Sequence, residues 1–161
     1  KEFVYIKEII DKTAKKLMEK TGVTVNYKVG TMIETPRAAI MSNQLSQYAD
    51  FYSFGTNDLT QLTYGFSRDD AGKFLNYYYE KKLYDFDPFK TLDQNGVGTL
   101  MEIAAKSVVR PIEMGICGEH GGDETSIEFA YNLGLHYVSC SPFRVPGARL
   151  TSAKVKIKNE K

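Results

Sequence analysis

Apolar side chains recur along this chain at two spacings, and the spacing separates helix from strand. Ile6, Ile9, Ile10, Ala14, Leu17 and Met18 fall three or four residues apart across residues 3–20, with lysines opposite. That stripe predicts an amphipathic helix, and Gly22 just beyond it predicts the helix end. Residues 25–33 are β-branched and aromatic and predict a strand. Pro36, followed by Arg37-Ala38-Ala39-Ile40, marks a helix start, where proline's missing N–H is no loss. Further strands are expected at 51–54, 112–117 and 137–140. Further helices are expected at 96–108, from an Asp123 cap to Gly134, and from near Val145 into the lysine-rich end.

Strand followed by helix, four times over, predicts an α/β fold on a parallel sheet. The stretch from about 65 to 95 is long for a βα connection. It predicts inserted structure, with a short helix over 71–82 and the run Asp85-Phe86-Asp87-Pro88-Phe89. Each predicted strand runs into polar or reactive residues: Glu34-Thr35-Pro36, then Gly55-Thr56-Asn57-Asp58, then Cys117-Gly118-Glu119-His120-Gly121-Gly122-Asp123, then Ser139-Cys140-Ser141-Pro142. In parallel α/β folds the strand C-termini share one face, and ligands bind there. Groups far apart in sequence are therefore expected to converge. Equal intervals separate Glu34 from Asp58 and Cys117 from Ser141, each fitting one βα unit.

Composition then limits what that face can serve. The chain has 161 residues, 42% hydrophobic and 25% charged, with 21 basic and 20 acidic side chains. The length suits one domain, and the near-zero net charge gives no electrostatic case for nucleic acid or an anionic membrane. No apolar run approaches the roughly 20 residues needed to span a bilayer. Cys117 and Cys140 are too few for a disulfide framework and fit a reducing compartment. Neither Lys1-Glu2-Phe3-Val4-Tyr5 nor Asn159-Glu160-Lys161 reads as a targeting address, so the cytoplasm is expected, with an organelle as the alternative.

Among the candidate residues, Glu34 and Asp58 would end neighbouring strands about 5 Å apart. They can form an acid/base pair, a pair of Mg²⁺ ligands completed by substrate and water, or plain anions at the positive ends of helices. Gly55-Thr56-Asn57-Asp58 can cradle a carboxylate or phosphate, or simply make a tight turn. Cys117 can exchange a proton, attack an electrophile or bind metal, and can equally be a small buried hydrophobe. Cys140 is expected within its strand as core. His120 is expected to hydrogen-bond in its loop or the site, His136 to be a surface residue, and neither to ligate zinc, since no second His stands at ligand spacing. Arg68 with Asp69 and Asp70 is a lid charge cluster or a solvated loop.

Asp50-Phe51-Tyr52-Ser53-Phe54-Gly55-Thr56-Asn57-Asp58-Leu59-Thr60-Gln61 resembles a signature of the phosphoenolpyruvate (PEP)-utilising enzymes. Residues 65–75, Asp87-Pro88-Phe89, Gly115-Ile116-Cys117-Gly118-Glu119-His120-Gly121-Gly122-Asp123 and Val138-Ser139-Cys140-Ser141-Pro142-Phe143-Arg144-Val145-Pro146 resemble the dikinase branch of that family. That branch interconverts ATP, pyruvate and phosphate with AMP, PEP and diphosphate. The resemblance implies that 1–161 form the C-terminal half, about four βα units, of a (β/α)8 barrel that binds PEP and pyruvate. It implies Glu34 and Asp58 as Mg²⁺ ligands, Glu34, Gly55, Thr56, Asn57 and Asp58 as substrate contacts, and Cys117 as the acid/base at the substrate's methyl carbon. It also implies a phosphohistidine domain of the same longer protein as phosphoryl donor, and a homodimer. No ATP-grasp or phosphohistidine segment is recognisable within 1–161, and the isolated segment is expected to be inactive. Gly147, and a connection over 105–112 that is shorter than the family's usual one, are expected to perturb helix packing. The alternative is a non-catalytic module binding a small anion or a partner through the same strand ends.

Overall fold

The structure, a computed structural model, describes residues 1–159. Four strands form one parallel sheet in sequence order: β1 (Thr31–Ile33), β2 (Phe51–Gly55), β3 (Glu113–Cys117) and β4 (Tyr137–Val138). Helices connect them: α1 (Glu2–Thr21) precedes β1, α2 (Pro36–Ile40) and α3 (Ser42–Leu45) follow it, and α4 (Thr56–Tyr64) follows β2. The insertion carries α5 (Arg68–Ala71) and α6 (Leu75–Glu80), and α7 (Val97–Lys106) leads into β3. Next come α8 (Glu124–Asn132) and, after β4, α9 (Val145–Asn159). This is an α/β fold on a parallel sheet, compatible with half of a TIM-barrel-like domain.

Alternation along the strands makes the two faces unequal. Ile33, Tyr52, Phe54, Met114 and Ile116 point to the helical layer and are buried with Leu59, Val97 and Met101. Tyr52 also donates its hydroxyl to the Ser42 carbonyl at 2.7 Å, and Ser42 Oγ donates to the Ala104 carbonyl at 2.8 Å, tying α3 to α7. The other face carries Met32, Ser53, Gly55, Gly115, Cys117 and Tyr137, small or half-exposed groups. A Cβ on Gly115 would stand 2.4 Å from the Tyr137 ring, so glycine lets that ring cross the sheet to donate its hydroxyl to the Tyr52 carbonyl at 3.0 Å.

Several expected elements are shorter than their sequence pattern. The first strand, expected over 25–33, pairs only at 31–33, because its ladder with β2 starts at Thr31 opposite Tyr52 and the chain before β2 is a turn, joined to residues 25–30 only where Asp50 N–H meets the Val29 carbonyl at 2.8 Å. Val25 N–H is held instead by the Met18 sulfur, and Val29 N–H by the Asp50 carboxylate. The fourth strand ends at Val138, so Cys140 lies outside it. There Cys140 and Val145 line an open groove of about 630 Å³ between β4, α8 and α9. The helix expected over 71–82 is two short ones, Arg68–Ala71 and Leu75–Glu80. They pack an aromatic cluster in which Phe66 meets Phe74, Phe89 and Tyr64. Burial pushes the Tyr64 hydroxyl's pKa up to about 12, with Asp93 and Tyr84 adding to it.

Neither expected packing fault appears in α9 or in the 105–112 connection. Gly147 sits in an unbroken α9 with open space where a Cβ would go. The connection is tied down where Val109 N–H meets Ser46 Oγ at 3.1 Å and Arg110 Nε donates to the Ser46 carbonyl at 2.8 Å. His136 is exposed, as expected, yet its Nδ1 accepts Met114 N–H at 3.1 Å beside the start of β4. Of the terminal run Asn159-Glu160-Lys161, the last two residues lie outside the described ones. Among the described residues no helix is long and apolar enough to cross a membrane.

The α1 stripe forms its helix but does not reach the core. No residue of α1 is buried, and Ile6, Ile9, Ile10 and Leu17 remain 39–54% exposed. With β1 and β4 unpaired at their outer edges, apolar surface and open ladders coincide. Sedimentation of the isolated chain is expected to show concentration-dependent self-association; a monomer at all concentrations would contradict this. Gly147→Ala is expected to raise stability by about 0.5–1 kcal/mol in chemical denaturation, since Ala adds helix propensity where there is room for it.

Candidate active site at the strand ends

Parallel pairing aligns the strand ends in a row. Ile33 stands opposite Phe54, which stands opposite Ile116. One residue further, Glu34, Gly55 and Cys117 lie side by side on the less covered face, Gly55 directly opposite Cys117. Strands are about 4.8 Å apart, so the Glu34 and Cys117 backbones stand roughly 10 Å apart with Gly55 between them.

Glycines make this row possible. A Cβ on Gly55 would stand 2.8 Å from both Glu34 Cβ and Glu34 Oε2, so the carboxylate rests against bare backbone. Gly118, with φ +86°, takes a conformation that L side chains rarely adopt, and its missing Cβ leaves room for Asn57 Nδ2. The Asn57 amide thereby covers the turn after β3. Its Oδ1 is buried and has no hydrogen-bond partner among the described residues, which leaves an acceptor for a ligand donor or a cation.

The remaining candidates fall around that row. Asp58 lies in the first turn of α4, is exposed, and accepts from Gln61 Nε2 at 3.2 Å. Cys117 is half-buried and its thiol donates to the Phe54 carbonyl at 3.4 Å. Thr56 is fully buried, 2.7 Å from His120 Nδ1 and 3.3 Å from the Cys117 carbonyl. His120 is fully buried too, its Nε2 2.9 Å from the Pro88 carbonyl. Asp123 caps α8 by accepting Ser126 N–H at 2.9 Å. Burial disfavours its charge, but bonds from Ser126, Thr125 and Thr91 outweigh that and hold its pKa below the usual carboxylate value.

The donor set of carboxylate, amide and hydroxyl oxygens suits Mg²⁺ more than a thiophilic metal. Among the described residues no three His, Cys, Asp or Glu side chains converge to hold a metal. Two carboxylates, with substrate oxygens and water, would have to suffice, as is common for Mg²⁺.

Sequence reasoning missed two contributors. Tyr137 lies across the inner face with its hydroxyl on β2, a position readable only once Gly115 is seen to leave the space. Glu119 pairs with Arg144 at 3.2 Å and with Arg68 at 3.9 Å, so the suspected Arg68 lid cluster is anchored to the rim. These pairs are substantially exposed and contribute little to stability.

A family model described as "PEP-utilising enzyme, PEP-binding domain" matches residues 1–157. The chain belongs to the PEP-utilising enzyme family. Within this family it is 53% identical to "Pyruvate, phosphate dikinase" of Clostridium symbiosum over 99% of its own length and 19% of the relative's. Identity is 56% to "Pyruvate, phosphate dikinase 1, chloroplastic" of Arabidopsis thaliana, over 92% of the chain and 16% of that protein. It is 52% to "Pyruvate, phosphate dikinase" of Rhizobium meliloti, over 97% and 18%. The chain thus spans under a fifth of each of these relatives.

Burial holds the His120 imidazole's pKa below its ordinary value; the Pro88 carbonyl, Asp123 and Asp87 oppose this, and Arg68 adds to it. The folded chain therefore takes up this proton less readily than the unfolded chain. His120's stabilisation is complete above its unfolded value of 6.5 and is lost as pH falls below it toward the folded value. Denaturation midpoints are expected to fall between about pH 7 and about pH 5, and His120→Gln is expected to flatten that slope. An unchanged slope would contradict the assignment.

Proposed function

We propose that this chain is the PEP- and pyruvate-binding part of a pyruvate, phosphate dikinase, where phosphoryl is exchanged between a phosphohistidine and the enolate of pyruvate. The observation that carries the reading is the row formed by Glu34, Gly55 and Cys117, which sets a carboxylate and a thiol on either side of bare backbone. The names of the relatives point the same way.

In this reading Glu34 and Asp58 would hold Mg²⁺, which when bound supplies positive charge to the substrate's carboxylate and enolate oxygens. The substrate lies beside Gly55, where the Glu34 carboxylate rests against backbone with no side chain of its own, and the Asn57 amide and Thr56 orient it. Cys117 handles the proton at C3. Towards PEP, its thiolate removes a methyl proton, the enolate oxygen takes the phosphoryl group from the phosphohistidine, and the N–P bond breaks as the O–P bond forms. In reverse, the thiol returns the proton to C3. The thiol, which lies 3.4 Å from the Phe54 carbonyl, must turn from it to reach substrate.

The donor is a phosphohistidine domain of the same longer protein, and that enzyme is a homodimer. Its proposed location is the cytoplasm, with a plastid as the alternative in view of the chloroplastic relatives.

Calorimetric titration of the chain with Mg²⁺ and oxalate, an enolate mimic, is expected to show Mg²⁺-dependent binding. Glu34→Gln combined with Asp58→Asn is expected to abolish it; undiminished binding would remove the metal assignment. In the full-length enzyme, Cys117→Ala is expected to stop exchange of pyruvate methyl protons with solvent, read by NMR, while oxalate still binds. Normal exchange in that variant would refute the role of Cys117.

A further inference from the structure

His120 is fully buried, and both of its ring nitrogens are engaged by elements that are distant in sequence. Nε2 lies 2.9 Å from the Pro88 carbonyl, and Nδ1 lies 2.7 Å from Thr56 Oγ1. A carbonyl only accepts, so Nε2 carries the hydrogen; in a neutral ring Nδ1 is then bare and takes the Thr56 hydroxyl proton. The tautomer follows from the partners. It also directs the Thr56 hydroxyl away from its other acceptor, the Cys117 carbonyl at 3.3 Å.

The inserted segment is held to the rim at other points too. Thr91 Oγ1 donates to Asp123 Oδ1 at 3.2 Å, and Leu92 N–H donates to Ser126 Oγ at 3.0 Å. Arg68 reaches Glu119. The link through His120 reaches the turn Gly55-Thr56-Asn57-Asp58 at Thr56, while Gln61, accepting Arg68 N–H at 2.7 Å and donating to Asp58 Oδ1 at 3.2 Å, reaches it at Asp58. Phe89, next to Pro88, is buried in the aromatic cluster, so the Pro88 carbonyl belongs to a packed body.

We propose that His120 is a positioning residue: its Nδ1 sets Thr56 and the turn after β2, while its Nε2 joins that turn to the inserted aromatic segment. The turn's shape then depends on the insertion being seated. The inference rests on the proposed function only in taking that turn as the substrate contact.

Two substitutions separate the two bonds. Asn presents an oxygen where Nδ1 stands, so His120→Asn keeps the Thr56 link and drops the Pro88 link. Gln presents an amide N–H where Nε2 stands, so His120→Gln keeps Pro88 and releases Thr56. Amide hydrogen exchange, measured on variants that keep the native circular dichroism, is expected to rise at 56–58 in His120→Gln and at 86–90 in His120→Asn. Thr56→Val, which leaves the ring intact, is expected to match His120→Gln at 56–58. Equal loosening of both regions in both His120 variants would mean that the ring only fills space, and would overturn the proposal, as would no loosening in either.

Oxalate binding with Mg²⁺ gives the second readout. His120→Gln is expected to weaken it about tenfold or more, as loss of an outer support does, and His120→Asn, which reaches the turn only through the unseated insertion, by less. Equal affinity in both variants would sever the turn from the site and overturn the proposal. If the native chain bound no oxalate, the proposed function would fall, while the exchange pattern would still decide whether His120 joins the turn to the insertion.

Discussion

Everything at the strand ends depends on the pairing register of β1, β2 and β3. Ile33, Phe54 and Ile116 are fully buried and face one another across three strands. Because side chains alternate, a one-residue slip in any strand would turn one of these apolar groups outward and bury its neighbour. Burial of each such side chain is worth about 2–3 kcal/mol, so the slip is strongly disfavoured. The residues that follow them have no choice of face. Glu34, Gly55 and Cys117 come into line because their predecessors are held in the core. The precision of the candidate site is thus a by-product of packing on the opposite side of the sheet.

The second constraint is volume on the inner face. Ser53, Gly55, Gly115 and Cys117 are small, and two of these positions cannot take a side chain: at Gly55 it would strike Glu34, and at Gly115 the Tyr137 ring. The same face that must leave room for a ligand must also be braced, and Tyr137 braces it by reaching from β4 to the β2 backbone. Gly118 plays the equivalent part on the rim, where it admits the Asn57 amide.

Much of this was legible from residues alone. The four βα units, the Thr35-Pro36 start of α2, the Asp123 cap and the Gly22 stop are local chemistry, and each stands where its sequence signal placed it. Convergence of Glu34, Gly55 and Cys117 followed from parallel topology. Strand lengths did not follow, because β-branched residues at 25–30 carry strand propensity but a ladder needs a neighbour, and the chain before β2 is a turn. His120 was legible as a hydrogen-bonding residue but not as a bridge, since its partners lie 64 and 32 residues away. Nothing local to Pro88 or Thr56 announces that they share one imidazole. The apolar stripe of α1 signalled the helix that forms, and its exposure is a separate matter, since periodicity reports that a face is apolar and not what covers it.

Geometry and electrostatic strength have separate sources here. Sheet register places the Glu34 carboxylate and the thiol, and the first turn of α4 carries Asp58, but a charge acts strongly only where water is excluded, since the same pair interacts several times more strongly at an effective dielectric of about 20 than in bulk water. Asp58 is exposed, Met32 on the inner face is 42% exposed, and Glu34 and Cys117 are only half-buried. These groups are therefore positioned without being insulated. Strengthening the chemistry therefore requires that water be excluded from the inner face itself, which register alone does not do.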